Sequence, residues 1–181
     1  MRKSKIGMSF GKQSARLAAA ALIAVSISAC SGVNGRVERG ELNYENFTAQ
    51  QIFERGEFEL EKNRADDAAF YFGEIERLYP YSEFAKRALI MQAFAFHRDE
   101  DYPNSRSAAQ RFIDFYPDDD DAAYAQYLLA LSYYDQIDEV GRDQGLTFQA
   151  LQSLREVIER YPNSEYAKSA ILKFDLAFDH L

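Results

Sequence analysis

The chain has 181 residues, a formal charge of −8 and one cysteine, Cys30. A lone cysteine excludes an intramolecular disulfide, so stability rests on packing. The acidic balance excludes nucleic acid as a partner, because phosphate backbones demand clustered Lys and Arg.

Residues 1–16 carry Arg2, Lys3, Lys5, Lys12 and Arg16 and no acid, residues 17–27 are apolar except Ser26, and the small Ser28 and Ala29 precede Cys30. This order is that of a cleaved export signal. Its apolar run is about half of the roughly 20 residues a spanning helix needs. Residues 1–29 are therefore read as a signal peptide, whose loss takes the charge from −8 to −13. Electrostatic adhesion to anionic lipid is then unfavourable, and membrane attachment needs another cause. The stretch Ile27-Ser28-Ala29-Cys30 resembles a bacterial lipobox, which implies a covalent lipid on Cys30; no cofactor is expected. Several acyl chains on one site anchor stably where a single chain does not. Ser31 after the cysteine favours the outer membrane. Residues 30–46, with glycines and little apolar periodicity, read as a lipidated flexible tether.

From residue 47 onward a phrase recurs. Tyr79-Pro80-Tyr81-Ser82-Glu83-Phe84-Ala85 matches Tyr161-Pro162-Asn163-Ser164-Glu165-Tyr166-Ala167, with a looser copy at Tyr116-Pro117. The prolines step by 37 and 45 residues, intervals that point to stacked helical hairpins. Each Tyr-Pro ends a helix, because proline cannot continue one and disfavours helical geometry in its predecessor. Ser82, Asp119 and Ser164 stand where a side-chain oxygen caps the next helix. The run Asp118–Asp121 reads as acids at a positive helix start, since the spacing of a calcium loop is absent.

Between these marks apolar residues recur every three or four positions, as in Ala68, Phe72, Ile75 and Leu78, which is a helix face. The predicted fold is all-α with about seven helices: a tetratricopeptide-like right-handed solenoid of helical hairpins, about three and a half repeats over residues 47–181. The repeats fall at about 47–80, 81–117, 118–162 and an incomplete 163–181. With Pro80 taken as position 32 of a tetratricopeptide unit, Gly56, Ala68 and Phe72 occupy the small and aromatic places where paired helices touch. Ala93 and Phe96, then Ala130 and Tyr133, repeat part of that pattern. The charged, Gly-bearing stretch from Asp138 to Gly145 is expected to be an exposed loop between paired helices. Residues 164–181 form an apolar stripe without a second helix, which favours reading the chain as an N-terminal fragment.

In such a solenoid the first helix of each unit lines the concave side. The groove positions are Phe53, Glu57 and Leu60, then Arg87, Ile90, Phe94 and His97, then Tyr124, Tyr127, Leu131 and Tyr134. Aromatics with few charges suit an extended, aromatic-bearing peptide, with Arg87 as a polar clamp. No enzyme site is expected. His97 and His180 lack a second His or Cys at metal spacing, and no phosphate loop or nucleophile elbow is present.

The order of signal, Cys30 and Tyr-Pro-x-Ser repeats resembles the BamD family, lipoprotein subunits of the machinery that assembles outer-membrane β-barrels. Phe53 and Gly56, Ala68-Ala69-Phe70-Tyr71-Phe72, Arg111-Phe112-Ile113 and the third-repeat insertion carry the resemblance. It implies about five repeats, so this chain would hold the N-terminal three and a half. It also implies binding to periplasmic domains of the barrel-forming subunit, to other assembly lipoproteins and to unfolded outer-membrane proteins. The expected place is the periplasmic face of the outer membrane. The rival expectation is a periplasmic tetratricopeptide lipoprotein that coordinates cell-wall synthesis or division.

Overall fold

A computed structural model describes residues 44–137 and 144–179. The expected signal, Cys30, the tether up to Asn43, His180 and most of the charged insertion lie outside the described residues. The first helix, α1 (Ala49–Glu61), begins at Thr48. The Thr48 hydroxyl accepts from the Gln51 amide at 3.2 Å, and the Gln51 side chain accepts from the Thr48 amide at 2.9 Å. This reciprocal box satisfies two amides that a helix start leaves open.

Six more helices follow: α2 (Ala65–Leu78), α3 (Glu83–Arg98), α4 (Tyr102–Phe115), α5 (Ala122–Tyr134), α6 (Gln144–Arg160) and α7 (Glu165–Phe178). No strand occurs among the described residues, and the all-α reading stands. The chain reverses between α1 and α2 at Asn63 (φ 58°), and between α3 and α4 at Glu100 (φ 61°). Both sit in the left-handed region that L-residues seldom adopt. They lie 37 residues apart, the same step that separates Pro80 from Pro117. The second hairpin thus repeats the backbone of the first.

The Tyr-Pro marks close helices as read. Tyr79, Tyr116 and Tyr161 each donate their amide back one turn, to Ile75 at 2.8 Å, Phe112 at 2.8 Å and Val157 at 3.0 Å. The caps differ from expectation. Ser164 caps α7, accepting from the Ala167 amide at 3.1 Å. Ser82 occupies the cap position of α3 without a side-chain cap bond. Asp119 is not the cap of α5, which starts after Asp121; its carboxylate takes the Asp121 amide at 3.1 Å and the Lys86 ammonium at 2.5 Å. Lys86 draws Asp119 into a bridge between hairpins, which competes with capping. Gln144 and Gly145, expected in a loop, form the first turn of α6.

Small residues let paired helices approach. A Cβ on Gly56 would lie 2.7 Å from the Phe72 ring, a distance no real Cβ tolerates. Phe53 and Phe72, both buried, meet at 5.3 Å between centroids. Ala93, Ala108, Ala109 and Phe112, all fully buried, join the second hairpin to Ala122, Ala125 and Leu128 of α5. Ala130, Leu154, Val157 and Ala170 do the same farther on. A short 3-10 turn, Tyr44–Asn46, covers the open side of the first hairpin. Tyr44 is buried there, edge-on to Phe70 at 5.6 Å and to Tyr71 at 5.7 Å.

Helices α1, α3, α5 and α7 touch in succession, whereas the partner helices α2, α4 and α6 stand farther from one another. Closer spacing along one row makes that row the inner side of a curve, as in stacked repeats.

Candidate functional site

The inner row carries the residues that the sequence placed in a groove, and their burial sorts them. Phe53 and Ile90 are buried, at 2% and 5% exposure. Phe53 stacks on Phe72 and on Phe84 (5.6 Å), and Ile90 belongs to the core of the second hairpin. Both therefore spend their surface on packing within this chain. Glu57, Phe94, His97, Tyr127, Leu131 and Tyr134 are partly open, and Arg87 is exposed. Leu60 is buried.

The polar members are tied across helices. Arg87 Nη2 of α3 bonds Glu57 Oε1 of α1 at 3.0 Å, and its guanidinium lies 4.8 Å from the Phe53 ring centre. His97 Nε2 lies 3.0 Å from Asp135 Oδ2, and its ring meets Tyr102 edge-on at 5.5 Å. Both ties join successive members of the inner row at its surface.

The far end of the row is tyrosine-rich. Tyr166 of α7 packs against Tyr124 (5.2 Å) and Tyr127 (5.6 Å). Burial, with Tyr166 beside it, pushes the Tyr124 hydroxyl up to about 12. Tyr127 also rises through burial, partly offset by its bond to Ser169. These phenols stay neutral at any physiological pH and present ring faces and hydroxyl donors. Lys173 of α7 sits 4.3 Å over the Tyr134 ring. Reading the sequence missed Tyr166 and Lys173, although the Ser164-Glu165-Tyr166-Ala167 phrase already marked α7 as a first helix of a unit.

Behind the groove, buried polar side chains lock the stack. The Gln92 amide donates to Ala69 O at 3.2 Å, and its oxygen accepts from Arg111 Nη2 at 3.0 Å. Arg111 also holds Glu76 of α2 through two bonds, at 3.2 and 3.0 Å. Ser105 donates to Ala93 O at 2.9 Å, and Ser132 lies 3.0 Å from the Ser105 hydroxyl. Nothing in this set aligns a nucleophile with a base; what the arrangement offers is a row of ring faces with a few charged groups at its surface.

Residues 45–181 match the family described as outer membrane lipoprotein, YfiO. The chain is 40% identical over 163 residues to the outer membrane protein assembly factor BamD of Caulobacter vibrioides, covering 90% of this chain and 52% of that protein. It is 38% identical over 130 residues to the BamD of Rickettsia prowazekii, covering 72% and 52%. It therefore spans about half the length of these curated relatives. Among solved structures, the C-terminal TPR-containing domain of a Plasmodium falciparum FK506-binding protein aligns with a TM-score of 0.52 at 18% identity, covering 72% of this chain and 86% of that one. That likeness concerns the fold alone and agrees with a tetratricopeptide-like stack. By the match over most of its length, the chain belongs to the YfiO family of outer membrane lipoproteins.

Proposed function

We propose that this chain is a non-catalytic scaffold subunit of the machinery that assembles outer-membrane β-barrels. Lipid on Cys30 holds it at the periplasmic face of the outer membrane. Its inner row receives extended segments of unfolded outer-membrane proteins, and the assembly also engages the barrel-forming subunit and other lipoproteins. The names of the relatives, outer membrane protein assembly factor, support this reading over a role in cell-wall synthesis.

The observation that carries the proposal is the run of partly open ring faces at Phe94, Tyr127 and Tyr134 along one row of helices. Rings supply contact area with little rotamer entropy to lose, and that suits sequence-tolerant capture of apolar segments. A photo-crosslinking peptide from an unfolded barrel protein tests it. Phe94→Ala with Tyr127→Ala lowers crosslinking severalfold while the helical spectrum is kept; unchanged crosslinking in the folded double variant refutes the groove. Mass analysis of Cys30 in membranes tests the anchor separately: an unmodified thiol removes it.

A further inference from the structure

Most cations of the first two hairpins are already neutralised. Arg55 and Arg64 bridge Glu59, Arg77 bridges Glu74, Lys86 bridges Asp119, Arg87 bridges Glu57 and Arg111 bridges Glu76. At the groove surface Glu57 is paired with Arg87, and Asp135 lies 3.0 Å from His97, a contact that is an ion pair only when the imidazole is protonated. Lys173, like Lys62, Arg106 and Arg155, lies over a ring without a salt bridge to any described residue, and its ring, Tyr134, belongs to the groove. Among the described residues no carboxylate lies within salt-bridge distance of it, and its one close polar contact is the face of Tyr134 at 4.3 Å. One helical turn away on either side stand Ser169, Ala170, Leu176 and Ala177, so its own helix offers no acid at the spacings that pair. Tyr134 is a groove ring, and α7 is the inner-row neighbour of α5. Lys173 thus brings an ammonium without a direct ion-pair partner to the tyrosine-rich end of the groove.

We infer that Lys173 is the residue by which the groove reads charge: it takes a carboxylate that neighbours an apolar residue in an extended peptide. This rests on the groove reading above and assigns to α7 the polar contact that the sequence had assigned to Arg87. An ammonium over a ring keeps hydrogen-bond donors free for an incoming oxygen. Tyr134 below it offers the ligand's apolar neighbour a flat contact. Arg87 already shares its charge with Glu57 through a 3.0 Å bond.

The test is fluorescence anisotropy on the full chain in detergent, with two labelled twelve-residue peptides. They alternate apolar and polar residues and differ at one central Asp-Phe or Asn-Phe step. The expected preference for the Asp peptide is about two- to fivefold, the effect of one exposed ion pair. Lys173→Glu reverses it, Lys173→Arg keeps it, and Lys168→Glu, the same charge change on an exposed site of the same helix, leaves Lys173 to set it. Equal binding of both peptides by the unaltered chain, or a preference that survives Lys173→Glu, overturns the assignment to Lys173 and leaves the groove standing. Failure of both peptides to bind overturns the groove and this inference together.

Discussion

Between the first and second hairpins, Arg111 reaches from α4 to Glu76 on α2, Arg98 bonds Asn63 at 2.7 Å, and Arg87 bonds Glu57. Between the third hairpin and α7 the contacts are of another kind: rings of Tyr124, Tyr127 and Tyr166, Lys173 over Tyr134, and Arg155 over Phe174 at 5.5 Å. Ion pairs with forked geometry fix the angle between neighbours. Stacked rings and cations on ring faces allow small slides at little cost. One end of the inner row is therefore set in register, and the other can slide.

The largest expected effect bears on the core common to both ends. Phe112→Ala empties a fully buried site and costs about 3–5 kcal/mol in urea unfolding. If the two ends are mechanically separate, hydrogen exchange in α7 changes less than in α3 and α4. Gly56→Ala drives a methyl into the Phe72 ring and costs about 1–3 kcal/mol, read as a lower midpoint with an unchanged slope. A cost near zero means the first hairpin is looser than its contacts imply.

Arg111→Ala strips the acceptor of buried Gln92 of its partner, a loss of about 1–3 kcal/mol. Raising salt from about 0.01 to about 1 M shortens the screening length from about 30 to about 3 Å, so exchange rises in α2 and α4 before it rises in α6 and α7. Uniform exchange across the chain would erase the contrast.

The smallest effects are in titration. Burial and the bond to Tyr71 push Tyr44 up to about 12, and burial does the same for Tyr124, one at each end of the domain. Both are neutral in the folded state at pH 10, where free tyrosine is half ionised, so their contribution is complete below pH 10 and is lost as pH rises towards 12. Ultraviolet absorbance shows these two phenols among those that ionise above the ordinary tyrosine range. The Lys86 bond lowers Asp119 and raises Lys86. Its contribution holds between the ordinary carboxylate and lysine values and fades at both extremes.

Much of the fold was legible because helical period and punctuation are local. Gly56 sits against Phe72 and Ala68 is buried, as the repeat pattern required, and three Tyr-Pro steps end three helices. Less legible was whatever depends on a partner distant in sequence. Asp119 forgoes the cap because Lys86, 33 residues earlier, claims it. Phe53 matched a groove position by spacing, yet Phe72 and Phe84 enclose it. Lys173 has no motif; its role arises only when α7 comes beside α5. Ile171 and Phe178, which belong to the apolar stripe read from the sequence, remain exposed at 46% and 60%.

Tyr44 has a mechanical consequence. Its ring is wedged between Phe70 and Tyr71 and bonded to Tyr71, so the described chain is pinned to the second helix where it begins. Were the chain anchored through Cys30 as proposed, strain from that side would meet this aromatic latch first.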